Sequence, residues 1–228
     1  QADSLLKGID IILKKVNCQS KSYPYVFDYF AQIMRNRNVQ NNTEGFVKFV
    51  NTYVEKGNCP FPQAAQKTAF IDEAKRLQAT LSVAKSPTIS LPDTAGVKQD
   101  LHAFARLNDY TLLAFYAPTC DHCQKEVPEM DSTMKFIESR LNLSLGRFYV
   151  CNEPGVPKAT WRNFISDYKI TSNAVHVELP NISDIRTQYD AFTNPVFFLL
   201  NREGEIVARR ISPTTLRKFF AEIQRQRI

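Results

Sequence analysis

Hydrophobic residues recur at steps of three and four along the first third of the chain, which is the spacing of one face of an α-helix. Four such stripes span residues 5–16, 25–34, 46–54 and 70–81. The turn-prone segment NVQNNTEG precedes the third stripe, and the prolines of NCPFP block helix continuation before the fourth. We therefore predict an all-α helical domain over residues 1–85.

The pattern changes at AKSPTISLPDTAG, where proline, serine and glycine mark a domain boundary near Ser86 and TISL is a short strand candidate. TLLAFYA is a continuous apolar run, typical of a strand buried on both faces. GRFYVCN is the next strand candidate, and AVHVEL is a weaker one. Two further apolar runs flank the turn NREG, in which Gly204 provides the positive φ of a tight hairpin.

Helical patterns separate these strands. Apolar residues from Val127 to Leu141 fall on one helical face, KATWRNFISDYKI is a second helix candidate, and Ser212 with Pro213 opens a last helix. The order β-α-β-α-(β)-β-β-α predicts an α/β fold over residues 86–228, with a mixed central sheet flanked by helices.

Charge and hydropathy narrow the classes of function. The formal net charge is +6, with acidic and basic residues interspersed along most of the 228 residues. A solvated helix face explains the basic run near the end, so we expect no nucleic-acid partner. No apolar run approaches the ~20 residues of a membrane-spanning helix. The chain begins at Gln1 rather than at Met, which is compatible with a removed export signal or a membrane tether outside the chain.

The five cysteines are an odd number, which does not fit a disulfide scaffold. Cys18 and Cys59 lie at predicted helix ends, where they form one structural disulfide or remain two independent buried thiols. Closing a loop of that length would stabilise the fold by roughly 3–4 kcal/mol. Cys151, near the end of the predicted strand GRFYVCN, is either a small buried side chain or a third redox thiol.

Cys120 and Cys123 form a C-x-x-C motif between a predicted strand and a predicted helix. The N-terminus of a helix presents unpaired N–H groups and the positive end of the helix dipole, and both favour a thiolate at Cys120 over a thiol. Cys123, one turn later, is close enough to close a disulfide ring and is expected to be more buried. The pair therefore has the parts of a reversible dithiol switch, an attacking thiol and a resolving thiol.

A zinc site and a purely structural disulfide are the other interpretations of the C-x-x-C motif. Asp121 and His122 act in opposite senses on a nearby thiolate, so the dipeptide does not set the direction of electron flow. Zinc would need two further ligands, and the sequence contains no second C-x-x-C and no H-x-x-x-H motif. A purely structural bridge across so short a loop removes little chain entropy. We therefore predict a redox-active disulfide, no metal and no other cofactor.

The segments LLAFYAPTCDHCQKEVPEM and FTNPVFFLLNREGEIV resemble the thioredoxin superfamily, and within it the thiol-disulfide oxidoreductases of the TlpA/ResA type. The resemblance covers residues from about 86 to 228. It implies a thioredoxin-like fold in which a proline with a cis peptide bond faces the dithiol, and Pro195 matches that proline. The first domain resembles helical regions that precede thioredoxin domains in secreted proteins of gut Gram-negative bacteria.

The resemblance also implies roles for the residues around the motif. Pro195 is expected to orient the substrate backbone, and Thr119, Thr193 and Asn194 are expected to contact the substrate. Glu126, one helical turn past the motif, is either a proton relay near the sulfurs or a solvated carboxylate on the helix surface.

Three positions depart from the usual pattern of the superfamily. Thr119 replaces the tryptophan before the first cysteine, and Asn194 replaces the threonine, valine or isoleucine before the proline. Ala114 replaces the buried aspartate on the strand before the motif, which leaves Glu126 as the natural proton acceptor.

The function that the resemblance implies is disulfide exchange with protein substrates, with an unidentified redox partner that recycles the protein, in the periplasm or cell envelope of a Gram-negative bacterium. The unusual Thr119 and Asn194 motivate an alternative, a binding module of the cell envelope whose dithiol is vestigial or auxiliary. A peroxide-reducing relative would carry a threonine three residues before the first cysteine, and that position is Ala117.

Overall fold

The computed structural model divides the chain into two compact units, Gln1–Leu81 and Ser82–Ile228. The division falls four residues before the boundary predicted near Ser86. The described residues are 2–35, 42–57, 59, 61, 64–78, 81, 85–170, 173–180 and 183–226. Among these residues, no helix is long and apolar enough to cross a bilayer.

The first unit is helical, as its apolar stripes predict. Its elements are α1 (Ala2–Val16), α2 (Tyr23–Arg35), α3 (Asn42–Val50), a π-helical turn (Asn51–Glu55) that continues α3, and α4 (Ala64–Gln78). The last helix ends three residues before the predicted stripe does. The predicted breaks at NVQNNTEG and NCPFP lie partly outside the described residues.

Aromatic packing and a disulfide hold the helical unit together. The ring of Phe27 in α2 lies 5.2 Å from that of Phe49 and 5.7 Å from that of Phe70, measured between centroids. Cys18, just after α1, and Cys59 form a disulfide, which is one of the two states that the sequence allows. Rings of this size contribute a large share of the buried apolar area in a small core.

The second unit contains the predicted mixed sheet. Its elements are β1 (Ser90–Pro92), β2 (Lys98–Asp100), α5 (Leu101–Arg106), β3 (Tyr110–Tyr116), α6 (Asp121–Leu141), β4 (Leu145–Cys151), α7 (Lys158–Asp167), β5 (Ala174–Glu178), α8 (Ile185–Gln188), β6 (Val196–Asn201), β7 (Ile206–Arg209) and α9 (Pro213–Gln226). The main sheet has the order β5-β4-β3-β6-β7, in which β3, β4 and β5 are parallel and β6 is antiparallel to both β3 and β7. β1 and β2 form a separate antiparallel pair.

Several local predictions are confirmed, and the shortest elements were missed. Gly204 has a φ of 78° in the turn between β6 and β7, and Ser212 Oγ accepts the Thr215 N–H as the N-cap of α9. The weak candidate AVHVEL contains β5, a full member of the sheet. β2, α5 and α8 were not predicted because three to six residues are too few to show a period.

β3 is buried on both faces and paired on both edges. Leu112, Ala114 and Tyr116 pack on the face covered by α6 and α9, whereas Leu113 and Phe115 pack on the opposite face. This two-sided burial explains why the strand reads as a continuous apolar run rather than an alternating one.

A buried charged cluster fixes α6 against the sheet. Asp131 of α6 is 2% exposed and accepts a hydrogen bond of 2.9 Å from the hydroxyl of Tyr149 in β4. It also pairs with Arg147 of β4 at 3.3 Å and with Lys135 at 2.7 Å. Removal of one partner from such a cluster leaves a buried charge uncompensated, so the cluster fixes the position of the helix.

His176 of β5 makes the stability of the second unit depend on pH. Its Nε2–H donates to the Ile170 carbonyl at 2.7 Å, and its ring stacks on Tyr149. Burial lowers the pKa of His176 to about 4, against about 6.5 in an unfolded chain. The fold therefore favours the neutral ring, and this stability is present above pH 6.5 and lost as the pH falls through 4.

Between pH 7 and pH 4, we expect the free energy of unfolding to decrease by about 3 kcal/mol more in the wild type than in His176→Phe. The reason is that the unfolded wild-type chain binds a proton at His176 in this range, which stabilises the unfolded state, and the variant has no such group. Urea unfolding at several pH values measures the difference. Parallel pH profiles for the two proteins would contradict the prediction.

Replacing Cys18 and Cys59 by alanine should destabilise the helical unit by about 3–4 kcal/mol, because the 41-residue separation gives the opened loop additional entropy in the unfolded chain. Hydrogen exchange of buried amides in α2 and α3 measures the loss. Cys151→Ala, in the other unit, is the control and should leave those exchange rates unchanged.

Candidate active site

Cys120 lies at the N-terminus of α6, as the sequence predicts. Its N–H donates to the Ala117 carbonyl at 3.1 Å, which closes the turn after β3, and its own carbonyl accepts the N–H of Gln124 at 3.1 Å. Cys120 is the N-cap, with φ −85° and ψ 121°, and its side chain makes no capping hydrogen bond. The sulfur is therefore not occupied by the backbone of its own helix, and the residue is partly exposed.

Cys123 lies one helical turn later and is fully buried. Its Sγ accepts the Ala117 N–H at 3.4 Å. Burial is the main cause that raises the pKa of the Cys123 thiol, and a hydrogen bond with Cys120 and the charge of Glu126 raise it further. The two cysteines thus differ in solvent access in the way that the sequence predicts.

The loop before β6 lies against the first cysteine. The peptide bond between Asn194 and Pro195 is cis, as the resemblance implies. The Cys120 thiol donates to the Asn194 carbonyl oxygen, with an S–O distance of 3.7 Å. This contact arises because β6 pairs with β3, with Val196 opposite Phe115.

Glu153, just beyond β4, holds the residue before the first cysteine. Its carboxylate accepts the Thr119 hydroxyl at 2.6 Å and the Thr119 N–H at 3.2 Å. Hydrogen bonds to an ionised acceptor are stronger than neutral ones. The turn that presents Cys120 is therefore bonded to the chain segment that follows the neighbouring strand.

Asn152, the residue between β4 and Glu153, forms hydrogen bonds with the loop before β6. Its Nδ2 donates to the Ala191 carbonyl and to Asn194 Oδ1, each at 2.8 Å. Its Oδ1 accepts from Arg186 Nε at 2.9 Å. The side chain of Asn194 therefore bonds to Asn152 in addition to its backbone contact with the thiol.

Sequence reasoning missed Asn152, Glu153 and Arg186. A signal was available for the first two, because polar residues that directly follow a strand parallel to β3 must lie at the same edge of the sheet as the motif. Arg186 belongs to the short helix α8, which no periodic pattern marks.

The remaining predicted residues lie on the surface around the dithiol. His122, Glu126, Thr119 and Thr193 are exposed, and Asn194 and Pro195 are partly exposed. Glu126 is an exposed carboxylate on α6, and its negative charge raises the pKa of the buried Cys123 thiol.

Cys151 is the last residue of β4 and lies within the predicted strand GRFYVCN. It is fully buried, and burial raises the pKa of its thiol to about 12. Among the described residues, no group of three histidine, cysteine or acidic side chains could hold a metal ion.

Comparison with known proteins yields matches among solved structures. No family model and no curated protein matches the sequence. A thioredoxin-like protein from Bacteroides caccae matches 96% of this chain and 76% of its own, with a TM-score of 0.77 and 16% identity. A domain of a possible thiol-disulfide isomerase from Cytophaga hutchinsonii matches 64% of this chain and 95% of its own, with a TM-score of 0.55 and 25% identity.

A third structure, a thiol:disulfide interchange protein from a Bacteroides species, matches 64% of this chain and 90% of its own, with a TM-score of 0.52 and 21% identity. These likenesses confirm the fold predicted from the sequence. The second unit has a thioredoxin-like fold, and a helical region precedes its sheet.

In the native reduced protein, iodoacetamide should modify Cys120 and leave Cys123 and Cys151 unmodified. Of these three free cysteines, Cys120 alone is partly exposed, and burial raises the pKa of the other two thiols. Peptide mass spectrometry after brief treatment at pH 8 measures the sites, and the same treatment in urea is the control in which all three react. Native modification of Cys151 at a rate similar to Cys120 would contradict the described burial.

Proposed function

We propose that this protein is a thiol-disulfide oxidoreductase that exchanges disulfides with protein substrates through Cys120 and Cys123. The observation that carries the proposal is the partly exposed Cys120 thiol at a helix N-terminus, which contacts the Asn194 carbonyl. The buried Cys123 thiol lies one helical turn later. The likeness at 25% identity to a domain named a possible thiol-disulfide isomerase supports a redox activity in general.

The proposed reaction begins when the Cys120 thiolate attacks one sulfur of a substrate disulfide. The substrate S–S bond breaks, a bond from Cys120 to that sulfur forms, and the other substrate sulfur leaves with the electron pair and takes up a proton. Cys123 then loses its proton and attacks the Cys120 sulfur, which releases the first substrate sulfur. The substrate disulfide is reduced to two thiols, and Cys120 and Cys123 are oxidised to a disulfide.

The difference in burial supports this order of attack. The raised pKa of Cys123 keeps that thiol protonated in the reduced protein, so Cys120 is the sulfur that reacts with a substrate. In this proposal Glu126 accepts the Cys123 proton and passes it to solvent, since its carboxylate is exposed and acts electrostatically on that thiol. His122, when charged, stabilises the attacking thiolate.

The loop before β6 is the proposed substrate-binding element. An extended substrate segment would pair with the backbone around Pro195, as a peptide strand adds to an exposed edge. Thr119 and Thr193 are exposed on the two loops that flank the attacking sulfur, so their side chains would contact the residues next to the substrate cysteine.

We further propose that the protein works in the periplasm or cell envelope as a TlpA/ResA-type enzyme, recycled by a redox partner, with no cofactor other than its dithiol. The Cys18–Cys59 disulfide supports an oxidising compartment, because structural disulfides are rare in the cytosol. A membrane tether outside this chain would keep the protein near its partner.

The binding-module alternative is the less favoured of the two functions. It rested on the unusual residues Thr119 and Asn194. Both side chains are engaged within the site, Thr119 by Glu153 and Asn194 by Asn152. These contacts support the two loops around the thiol, which favours the oxidoreductase over the binding module.

Cys123→Ala should accumulate a mixed disulfide between Cys120 and a substrate, because the resolving thiol is missing, and should lose insulin-reducing turnover. Non-reducing electrophoresis and intact mass measure the adduct, which dithiothreitol should release.

Cys120→Ser should form no adduct, and Cys151→Ala is the matched control that should turn over at the wild-type rate. A Cys120→Ser protein that reduces insulin as fast as the wild type would exclude the proposed chemistry.

A further inference from the structure

Asn152 has all of its side-chain polar groups engaged in the interior. The residue is 5% exposed. Its amide nitrogen makes the two bonds to Ala191 and Asn194, and its amide oxygen accepts the bond from Arg186. A buried amide with this many partners strongly restricts the groups around it, because each unmade bond would leave a buried polar atom without compensation.

The chemistry of the partners fixes which way the amide faces. The Ala191 carbonyl can only accept a hydrogen bond, and the Arg186 guanidinium can only donate one. A reversed Asn152 amide would place its oxygen against the oxygens of Ala191 and Asn194, and its nitrogen against the Nε–H of Arg186. The same logic fixes Asn194, whose side-chain oxygen must face the Asn152 nitrogen.

Asn152 also connects the loop to the strand that leads to the dithiol. Its backbone N–H donates to the carbonyl of Tyr116, the last residue of β3, at 2.6 Å. One residue therefore bonds both to the strand end that precedes Cys120 and to the loop whose Asn194 carbonyl lies 3.7 Å from the Cys120 sulfur.

We propose that Asn152 is a positioning residue, oriented by Arg186, that sets the distance between Cys120 and the loop at residues 191–195 and thereby adapts the site to extended disulfide-bonded peptides. The inference rests on the function proposed above. A small disulfide needs only access to the Cys120 sulfur, whereas a peptide must also pair with the loop backbone while its disulfide reaches that sulfur.

The experiment compares two disulfides as substrates of Asn152→Ala. For a synthetic peptide pair joined by one disulfide, we expect KM to rise about tenfold with kcat nearly unchanged, because the loop is released while the sulfurs stay in place. For 5,5′-dithiobis(2-nitrobenzoate), a small disulfide, the rate should stay within about twofold of the wild type.

Asn108→Ala is the matched control. Asn108 is 2% exposed, and its side chain forms hydrogen bonds with Phe104, Ser144 and Asn173. It precedes the N-terminal end of β3, whereas Cys120 follows the C-terminal end of that strand. Both variants lose a buried amide network, so both should melt at a lower temperature. Only Asn152→Ala should change the KM for the peptide.

Arg186→Leu is the second variant, and it carries the test if Asn152→Ala does not fold. It removes the donor that orients Asn152 and should raise the peptide KM in the same direction by a smaller factor. In an Asn194→Val background the Asn152→Ala change should raise KM by less than it does in the wild type, because one of the two loop contacts is already absent.

The inference is overturned if peptide KM is unchanged in Asn152→Ala or Arg186→Leu, if both disulfides are affected equally, or if Asn108→Ala shows the same effect. A wild-type protein that reacts with neither disulfide would instead reject the proposed function. The two failures are therefore distinguishable.

Discussion

The pairing of β3 with strands on both of its edges is the constraint on which the rest of the site depends. β3 runs parallel to β4, with Tyr116 opposite Cys151, and antiparallel to β6, with Phe115 opposite Val196. This register brings three segments to one edge of the sheet: the turn that presents Cys120, the residues after β4, and the loop before β6. The segments are distant in the chain, so the site exists only once the sheet has its register.

Polar contacts then convert this proximity into a defined geometry. Two consecutive residues after β4, Asn152 and Glu153, bond the loops on either side of the attacking sulfur, one through Asn194 and the other through Thr119. Apolar contacts at this edge would be non-directional, whereas hydrogen bonds fix both distance and orientation. The stability of the two loops is therefore coupled to the short turn between β4 and α7.

Burial separates the roles of cysteines that are chemically alike. Cys120 is partly exposed at a helix end, whereas Cys123 in the first turn of α6 and Cys151 at the end of β4 are fully buried. Desolvation disfavours the thiolate and so raises the pKa of the two buried thiols. The anchoring of α6 through the buried charges around Asp131 maintains this difference, because it holds the helix at a fixed position on the sheet.

The sequence by itself determined the longer elements and the local part of the site. The apolar periods predicted the helical first unit and the α/β second unit, and the strand–motif–helix order predicted Cys120 at a helix start with Cys123 one turn later, since these relations span only a few residues. The contacts of Asn152, Glu153 and Arg186 were decided by the tertiary structure alone. They depend on which strands are neighbours and in which register, and this is a long-range property of the hydrogen-bonded sheet that no local pattern of residues encodes.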